Sequence, residues 1–335
     1  MSLKWYIITR VLMAIPMFFI LLLLIFFVLR ILPGDPVISM LGGKAPMSVI
    51  EQKRQELGYD KPILEQFFIY VGGLFKGDLG RSALTKRPIA DEIGKKLPAT
   101  IELTIFGFLI ALTIGIFWGA EATRHHNESV DVAGRFYAIF IYSVPVFWLG
   151  MIFQWIFGVQ LRWLPVAGRI SPIMRPDHFS GLFLLDSLIT WDIPAFKDAF
   201  VHIILPGLAL GMIISSIFLR MVRSNMVLML SRDFVKAARA RGIKERSIIY
   251  RHSLKNAFVP IMTVMGLQLA LLMAGAVLTE TTFSWPGIGS YLVEKIRYRD
   301  FPAVQGTIAI FALLVVVINI LVDIINALVD PRVRY

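Results

Sequence analysis

Six long apolar segments constrain the fold of this chain more than any other feature of its sequence. A helix crosses the hydrocarbon core of a bilayer with about 20 apolar residues. The segments of that kind lie at 11–31, 99–119, 136–158, 201–222, 257–279 and 304–328. Because hydrocarbon offers no partner for free backbone groups, each crossing must be helical. We therefore predict an all-α integral membrane protein with six transmembrane helices, forming one domain over residues 1–335.

Composition supports the membrane assignment and excludes several other classes of protein. Hydrophobic residues make up 57% of the chain, and it contains no cysteine. Disulfides, thiolate chemistry and cysteine-based metal sites are therefore excluded. The net charge of +11 comes from basic residues that flank the apolar segments. Orientation in the membrane and contact with anionic lipid explain these charges more simply than nucleic acid does, so we predict no nucleic-acid partner.

The charge pattern also predicts the orientation of the chain. Between Arg220 and Lys255 the sequence has ten Lys or Arg and only two acids, Asp233 and Glu245. Short loops this basic stay on the cytoplasmic side. The loop 223–256 is then cytoplasmic, and counting along the segments places both termini in the cytoplasm. The external parts are 33–98, which should contain two short amphipathic helices, 159–200 and 280–303.

Known catalytic and nucleotide-binding motifs are absent from the sequence. The chain has no P-loop pattern, no zinc-protease pattern and no nucleophile-elbow pattern. His125 and His126 stand together in a short loop, but zinc usually takes three or four protein ligands. We predict no catalytic residue, no metal site and no cofactor in this chain.

The basic loop contains a short pattern of its own. Small and basic residues from Ala237 to Arg241 predict a helix that ends at Gly242, and a second short helix should follow as far as Leu254. Two short helices around a glycine form a compact projection that fits a groove in a partner. From the residues alone, a solvated helix held at the surface by anionic lipid is an equal alternative.

This segment resembles the EAA loop of inner-membrane permeases of ABC importers. Ala237, Ala238 and Gly242 match that motif, while Lys236 stands at its glutamate position and Lys255 at its proline position. The stretches 233–242 and 251–257 are similar to the dipeptide and oligopeptide branch of the family. Further similarities to that branch lie at 32–36, 77–82, 97–100, 143–148, 283–289 and 330–335.

The resemblance implies a type I ABC importer permease in the cell membrane. Such a permease pairs with a similar but non-identical permease, receives cargo from an external solute-binding protein and docks two cytoplasmic ATPase subunits, which hold ATP and magnesium. The basic loop becomes a coupling helix. The coupling residues that the resemblance implies are Asp233, Lys236, Ala237, Ala238, Arg239, Arg241, Gly242, Arg251, His252, Leu254 and Asn256.

The cargo implied by the resemblance is a dipeptide or oligopeptide. The same branch also includes transporters of nickel and of short oligosaccharides, and the six segments do not decide among these cargoes. Two other classes of function stay open on the residues: a secondary transporter driven by an ion gradient, and a membrane scaffold with no transport role.

Two positions are candidates for a hinge or a gate. Pro145 removes a backbone hydrogen bond inside the third segment, which predicts either a gating hinge or a fixed kink. The turn at Trp285, Pro286 and Gly287 precedes the last segment. It is either an interfacial anchor or a contact for an outer gate or a delivering protein.

The last segment carries polar side chains on one helical face: Asn319, Asp323, Asn326 and Asp330. An acid inside a membrane is costly unless it is paired. We predict that Arg10 pairs with Asp323, and a cation or proton site is the alternative. Two small-residue patterns, at Gly115 and Gly119 and at Gly207 and Gly211, predict close helix packing.

Overall fold

The computed structural model describes residues 3–31, 36–41, 45–56, 58–174 and 179–329. Within those ranges every named element is helical, so the predicted all-α class is confirmed. Most of the motif at 32–36 and the whole ending 330–335, including Asp330, lie outside the described residues.

The helices run along the chain in the following order. They are α1 Leu3–Ile31, α2 Pro36–Leu41, α3 Met47–Glu56, α4 Ile63–Phe75, α5 Ile89–Arg124, α6 Ser129–Ser143, α7 Val146–Phe153, α8 Phe183–Ile189, α9 Ile193–Leu230, α10 Asp233–Ala240, α11 Glu245–Ser247, α12 Leu254–Thr282, α13 Ile288–Arg297 and α14 Phe301–Val329. Two π-helical stretches, Gln154–Gln160 and Ile248–Ser253, follow α7 and α11.

Four described helices are long and apolar enough to cross a membrane alone: α1, α5, α9 and α14. Two bent pairs bring the number to six if each pair is one crossing. The first pair is Ser129–Ser143 with Val146–Gln160, and the second is Glu245–Phe258 with Pro260–Met273. The helices also extend beyond the predicted apolar segments, because polar turns at their ends continue the helical backbone.

The third predicted segment is not a continuous helix. Its two halves meet at an angle of 104°. Val144 is extended, with φ −92° and ψ 128°, and Pro145 follows with ψ 136°. The proline ring disfavours helical backbone at the residue before it, so the chain leaves the helix at Val144 and starts a new one at Val146. The break is therefore sharper than a kink.

The predicted second helix of the basic loop is also different in the structure. Rather than ending at Leu254, the chain passes from α11 through the π-helical stretch directly into α12. The bend of 60° comes later, where Phe258 and Pro260 flank the break. A proline inside the helix at position 260 removes one backbone hydrogen bond, which accounts for a bend there.

The centre of the fold is the pair α5 and α9. A Cβ atom at Gly211 would lie 2.6 Å from the backbone oxygen of Gly107, and one at Gly119 would lie 2.8 Å from Cβ of Val222. A Cβ at Gly115 would overlap Phe218. The two small-residue patterns therefore meet in one interface, where the backbones of α5 and α9 come into contact.

Helices α1 and α4 form an outer layer whose buried cluster is smaller than that of the central helices. Helix α1 packs on α14 and α4 through a small cluster that includes Leu22, Phe26, Phe67 and Ala309, while much of its remaining surface is exposed. Rings of Phe26 and Phe67 meet edge to face with centroids 5.5 Å apart. The short helix α4 thus covers one end of α1 with its own apolar side.

Substitution of Gly211 by alanine should destabilise the fold, because the added methyl group meets backbone that cannot rotate away. We expect a loss of about 1–3 kcal/mol, as in other overpacked cores. Gly94→Ala is the matched control, since Gly94 is also helical and its Cβ would meet nothing within 4 Å. Thermal unfolding of both purified variants checks this, and equal unfolding temperatures would contradict it.

Candidate functional site

Helix α10 is fixed to the rest of the molecule by one face. Val235 and Ala238 are buried and pack with Ile248 of the π-helical stretch. Leu230, the last residue of α9, and Ile243 complete this cluster. Helix α10 is therefore held both by the end of α9 and by the start of the helix that leads into α12.

The turn after α10 requires glycine because of its backbone conformation. Gly242 has φ +74°, and a Cβ there would meet nothing within 4 Å, so the requirement is conformational and not steric crowding. The N–H of Ile243 donates to the carbonyl of Ala238 at 3.2 Å, which closes the helix end. The predicted helix stop at Gly242 is thus present in the structure.

A charged bridge spans the same turn. The Arg239 guanidinium donates to both carboxylate oxygens of Glu245, at 3.1 and 2.5 Å. This hydrogen bonding raises the pKa of Arg239 above its ordinary value. Both side chains are about half exposed, so the bridge orients the two sides of the turn more than it stabilises the fold.

The opposite face of α10 is free for a partner. Asp233, Lys236, Ala237 and Arg241 are exposed. Lys236 stands at the glutamate position of the motif, and its ammonium lies 2.9 Å from the Asp233 carboxylate. The negative charge of Asp233, in the first turn of α10, therefore offsets the positive charge that lysine brings to that position. Phe234 is 40% exposed beside them and was not among the predicted residues.

The remaining predicted coupling residues lie on the next helix. Arg251 and Asn256 are exposed, while His252 and Leu254 are partly buried. Asn256 donates to the His252 carbonyl at 2.7 Å. The structure thus separates the predicted set into the α10 face and the helix that enters α12. Ala238 points into the protein and contributes to packing rather than to a contact surface.

A buried ion pair anchors α9 at the same end of the molecule. Asp131, at the start of α6, is fully buried. Arg223 donates to its two carboxylate oxygens at 2.5 and 2.8 Å. The Tyr250 hydroxyl also donates to Glu121 near the end of α5. Sequence reasoning missed these contacts, because acids are favoured in the first turn of any helix and Asp131 therefore gave no sign of a buried partner.

The turn at the far end of α12 is buried, not interfacial. Trp285 is 1% exposed, and its indole N–H donates to the Ala99 carbonyl at 2.8 Å. A Cβ at Gly287 would overlap the Glu280 carboxylate, while Pro286 is exposed. The interfacial-anchor alternative is therefore wrong for Trp285. This turn packs against α5 at that end of α12.

A second buried ion pair lies beside the Trp285 turn. Arg169 donates to Glu102 at 2.6 and 2.9 Å, and the backbone N–H of Leu184 donates to the other Glu102 oxygen at 2.7 Å. The Arg169 guanidinium stacks 3.8 Å from the Phe183 ring centroid. Burial lowers the pKa of Arg169 below its ordinary value. The pair ties the 161–182 connection to α5, and the sequence analysis did not single it out.

The structure brings Arg10 and Asp323 together. Arg10 Nη1 lies 3.5 Å from Asp323 Oδ2, and both side chains are partly exposed. They line a cavity of about 390 Å³ between α1, α12 and α14, which Asn319 and Asn326 also line. Among the residues that the structure describes, no three His, Cys, Asp or Glu side chains cluster in a way that could hold a metal ion.

Comparison with known proteins identifies the family. The model of the binding-protein-dependent transport system inner membrane component matches residues 111–335, and the model of its N-terminal region matches residues 3–104. The chain is 40% identical to the dipeptide transport system permease protein DppB of Alkalihalophilus pseudofirmus, over 98% of this chain and 99% of that protein. It is also 40% identical to the di/tripeptide transport system permease protein DppB of Pseudomonas aeruginosa, over 96% of each chain.

A third relative belongs to a different transport system. The chain is 36% identical to the glutathione transport system permease protein GsiC of Escherichia coli, over 98% of this chain and 99% of that protein. These matches cover nearly the whole sequence and not only the basic loop. The chain therefore belongs to the family of binding-protein-dependent transport system inner membrane components, as a multi-pass permease subunit of an ABC importer.

Proposed function

We propose that this permease subunit forms half of an import path for dipeptides and short oligopeptides. The support comes from relatives named for dipeptides, for di- and tripeptides and for glutathione, which is itself a short peptide. Short oligosaccharides and nickel remain the alternative cargoes, since the membrane helices carry no feature that selects among them. Family membership argues against an ion-driven transporter and against a scaffold.

The proposed assembly has further components. A second, non-identical permease completes the path, a solute-binding protein delivers cargo outside, and two ATPase subunits bind ATP and magnesium in the cytoplasm. This chain has no P-loop and takes no part in hydrolysis. Both termini and the loop 223–256 then face the cytoplasm, as the distribution of basic residues indicates.

The geometry of α10 is the observation that carries the proposed coupling. One face of α10 is buried against α9 and the π-helical stretch, and its other face is exposed. Helix α9 is continuous over Ile193–Leu230. When a subunit bound to α10 moves, its movement is therefore transmitted to α9, which reaches the other end of the bundle. Rigid-body movement of this kind can open and close a path without chemistry in the permease.

Cross-linking tests this contact, and the chain is suited to it because it has no native cysteine. We expect Lys236→Cys, carrying a thiol-reactive photo-cross-linker, to label an ATPase subunit in the assembled transporter. Lys53→Cys on α3 is the matched control and should not label it, because α3 lies in the segment predicted to be external. Labelling of the ATPase from position 53, or none from position 236, would overturn the proposal.

The backbone of Gly242 gives a second test. A left-handed conformation costs about 1–2 kcal/mol for an ordinary residue, and less for asparagine. We expect Gly242→Ala to reduce peptide uptake in proteoliposomes more than Gly242→Asn does, because α10 loses its fixed orientation. ATPase subunits should stay bound to both variants. Equal uptake by the glycine, asparagine and alanine forms would show that the turn is unimportant.

A further inference from the structure

A basic cavity is lined mainly by the chain segment that follows the coupling helix. It measures about 510 Å³ and is lined by Phe117, Lys244, Arg246, Ser247, Tyr250 and Arg251. Phe117 belongs to α5, whereas the other lining residues belong to the connection from Gly242 into α12. The cavity therefore lies where a membrane helix meets the basic loop.

The cationic side chains of this cavity lack acidic partners. Lys244, Arg246 and Arg251 are exposed, and within the described parts of the chain no carboxylate lies within 4 Å of any of them. The nearby Glu245 is held by Arg239. The other acid in this region, Glu121, accepts from Arg124 and from Tyr250 and lies 3.3 Å from His125. Three positive charges are thus left to attract an anion.

The apolar wall of the cavity identifies the kind of anion. Gly115 and Gly119 face α9, so Phe117, halfway between them, lies on the other side of α5. Its ring is 66% exposed. On a membrane helix, such a ring is in contact with acyl chains. A free phosphate ion gains nothing from contact with this ring. A phospholipid instead places its headgroup among the cations and an acyl chain along the ring.

We infer that this cavity binds the phosphate headgroup of an anionic phospholipid from the cytoplasmic leaflet. The inference rests on the proposed cytoplasmic position of the loop 223–256. A lipid bound there joins α5 to the helix that leads into α12. Because Ile248 of that helix also packs against α10, the bound lipid steadies the base of the coupling helix.

Lipid retention tests the site in the whole transporter. The assembled complex is placed in phosphatidylcholine nanodiscs that contain phosphatidylglycerol, and the retained phosphatidylglycerol is measured by mass spectrometry after extraction. We expect Lys244→Gln with Arg246→Gln to weaken retention by about 25-fold, because each basic residue contributes roughly fivefold to the attraction of anionic lipid. Retention equal to that of the unmodified complex would overturn the site.

A charge-matched pair of substitutions provides the control. Arg232→Gln with Lys255→Gln removes two exposed positive charges from the same loop, but neither side chain lines the cavity. This variant should keep its lipid, and Lys244→Arg with Arg246→Lys should also keep it because the charges remain. If the control lost as much lipid as the test variant, the effect would be general attraction to the surface and the cavity would not be a site.

Two further measurements separate the sources of the anion. Millimolar inorganic phosphate should fail to displace the phosphatidylglycerol, because phosphate cannot contact Phe117, and complete displacement would overturn the lipid assignment. The permease pair without its ATPase subunits should retain as much phosphatidylglycerol as the complete complex does. Loss of the lipid when the ATPase subunits bind would assign the cavity to the ATPase interface and overturn the proposal. Peptide uptake is measured separately, so failure of the lipid site leaves the transport assignment intact.

Discussion

The close backbone contact between α5 and α9 is the constraint on which the rest of the structure depends. Glycines from both helices meet there, and almost any side chain would force the helices apart. In a bilayer, helices gain little from burying apolar surface, because lipid is equally apolar, so tight packing must hold them together. The contact makes two long helices into one unit, to which shorter elements attach at both ends.

Ion pairs fix both ends of this unit. At one end, Arg223 of α9 holds Asp131 at the start of α6, and at the other, Glu102 of α5 holds Arg169 from the connection before α8. Buried pairs of this kind contribute orientation more than net stability, because desolvation offsets much of their attraction. Helix α10 packs at the first end, and the turn at Trp285 packs at the second. The α5–α9 pair therefore connects α10 at one end with the Trp285 turn at the other.

The fold class could be predicted from the sequence because it depends on residue patterns within single segments. Runs of about 20 apolar residues can only be membrane helices, and the positions of glycine predicted which faces pack closely. The helix stop at Gly242 was predictable for the same reason. The pairing of Arg10 with Asp323 was predictable because an acid at that depth needs a cation at the same depth.

The parts that the sequence did not predict depend on contacts between distant segments. Pro145 indicated a break, but the size of the bend, 104°, is a property of the folded chain that the proline alone does not specify. Tryptophan is a typical interfacial residue, yet Trp285 is buried and donates a hydrogen bond to the Ala99 carbonyl, 186 positions away. Glu102 and Arg169 are ordinary charged residues in sequence, and only the folded chain shows that they share one buried site.

The most direct test of mechanical coupling is to break the rigid connection while keeping the contact. A flexible Gly-Ser insertion after Ser231 separates the end of α9 from α10 but leaves the exposed α10 face unchanged. The account predicts that the ATPase subunits still bind and hydrolyse ATP, while peptide uptake into proteoliposomes falls to background. Uptake at the full rate with the insertion in place would contradict it.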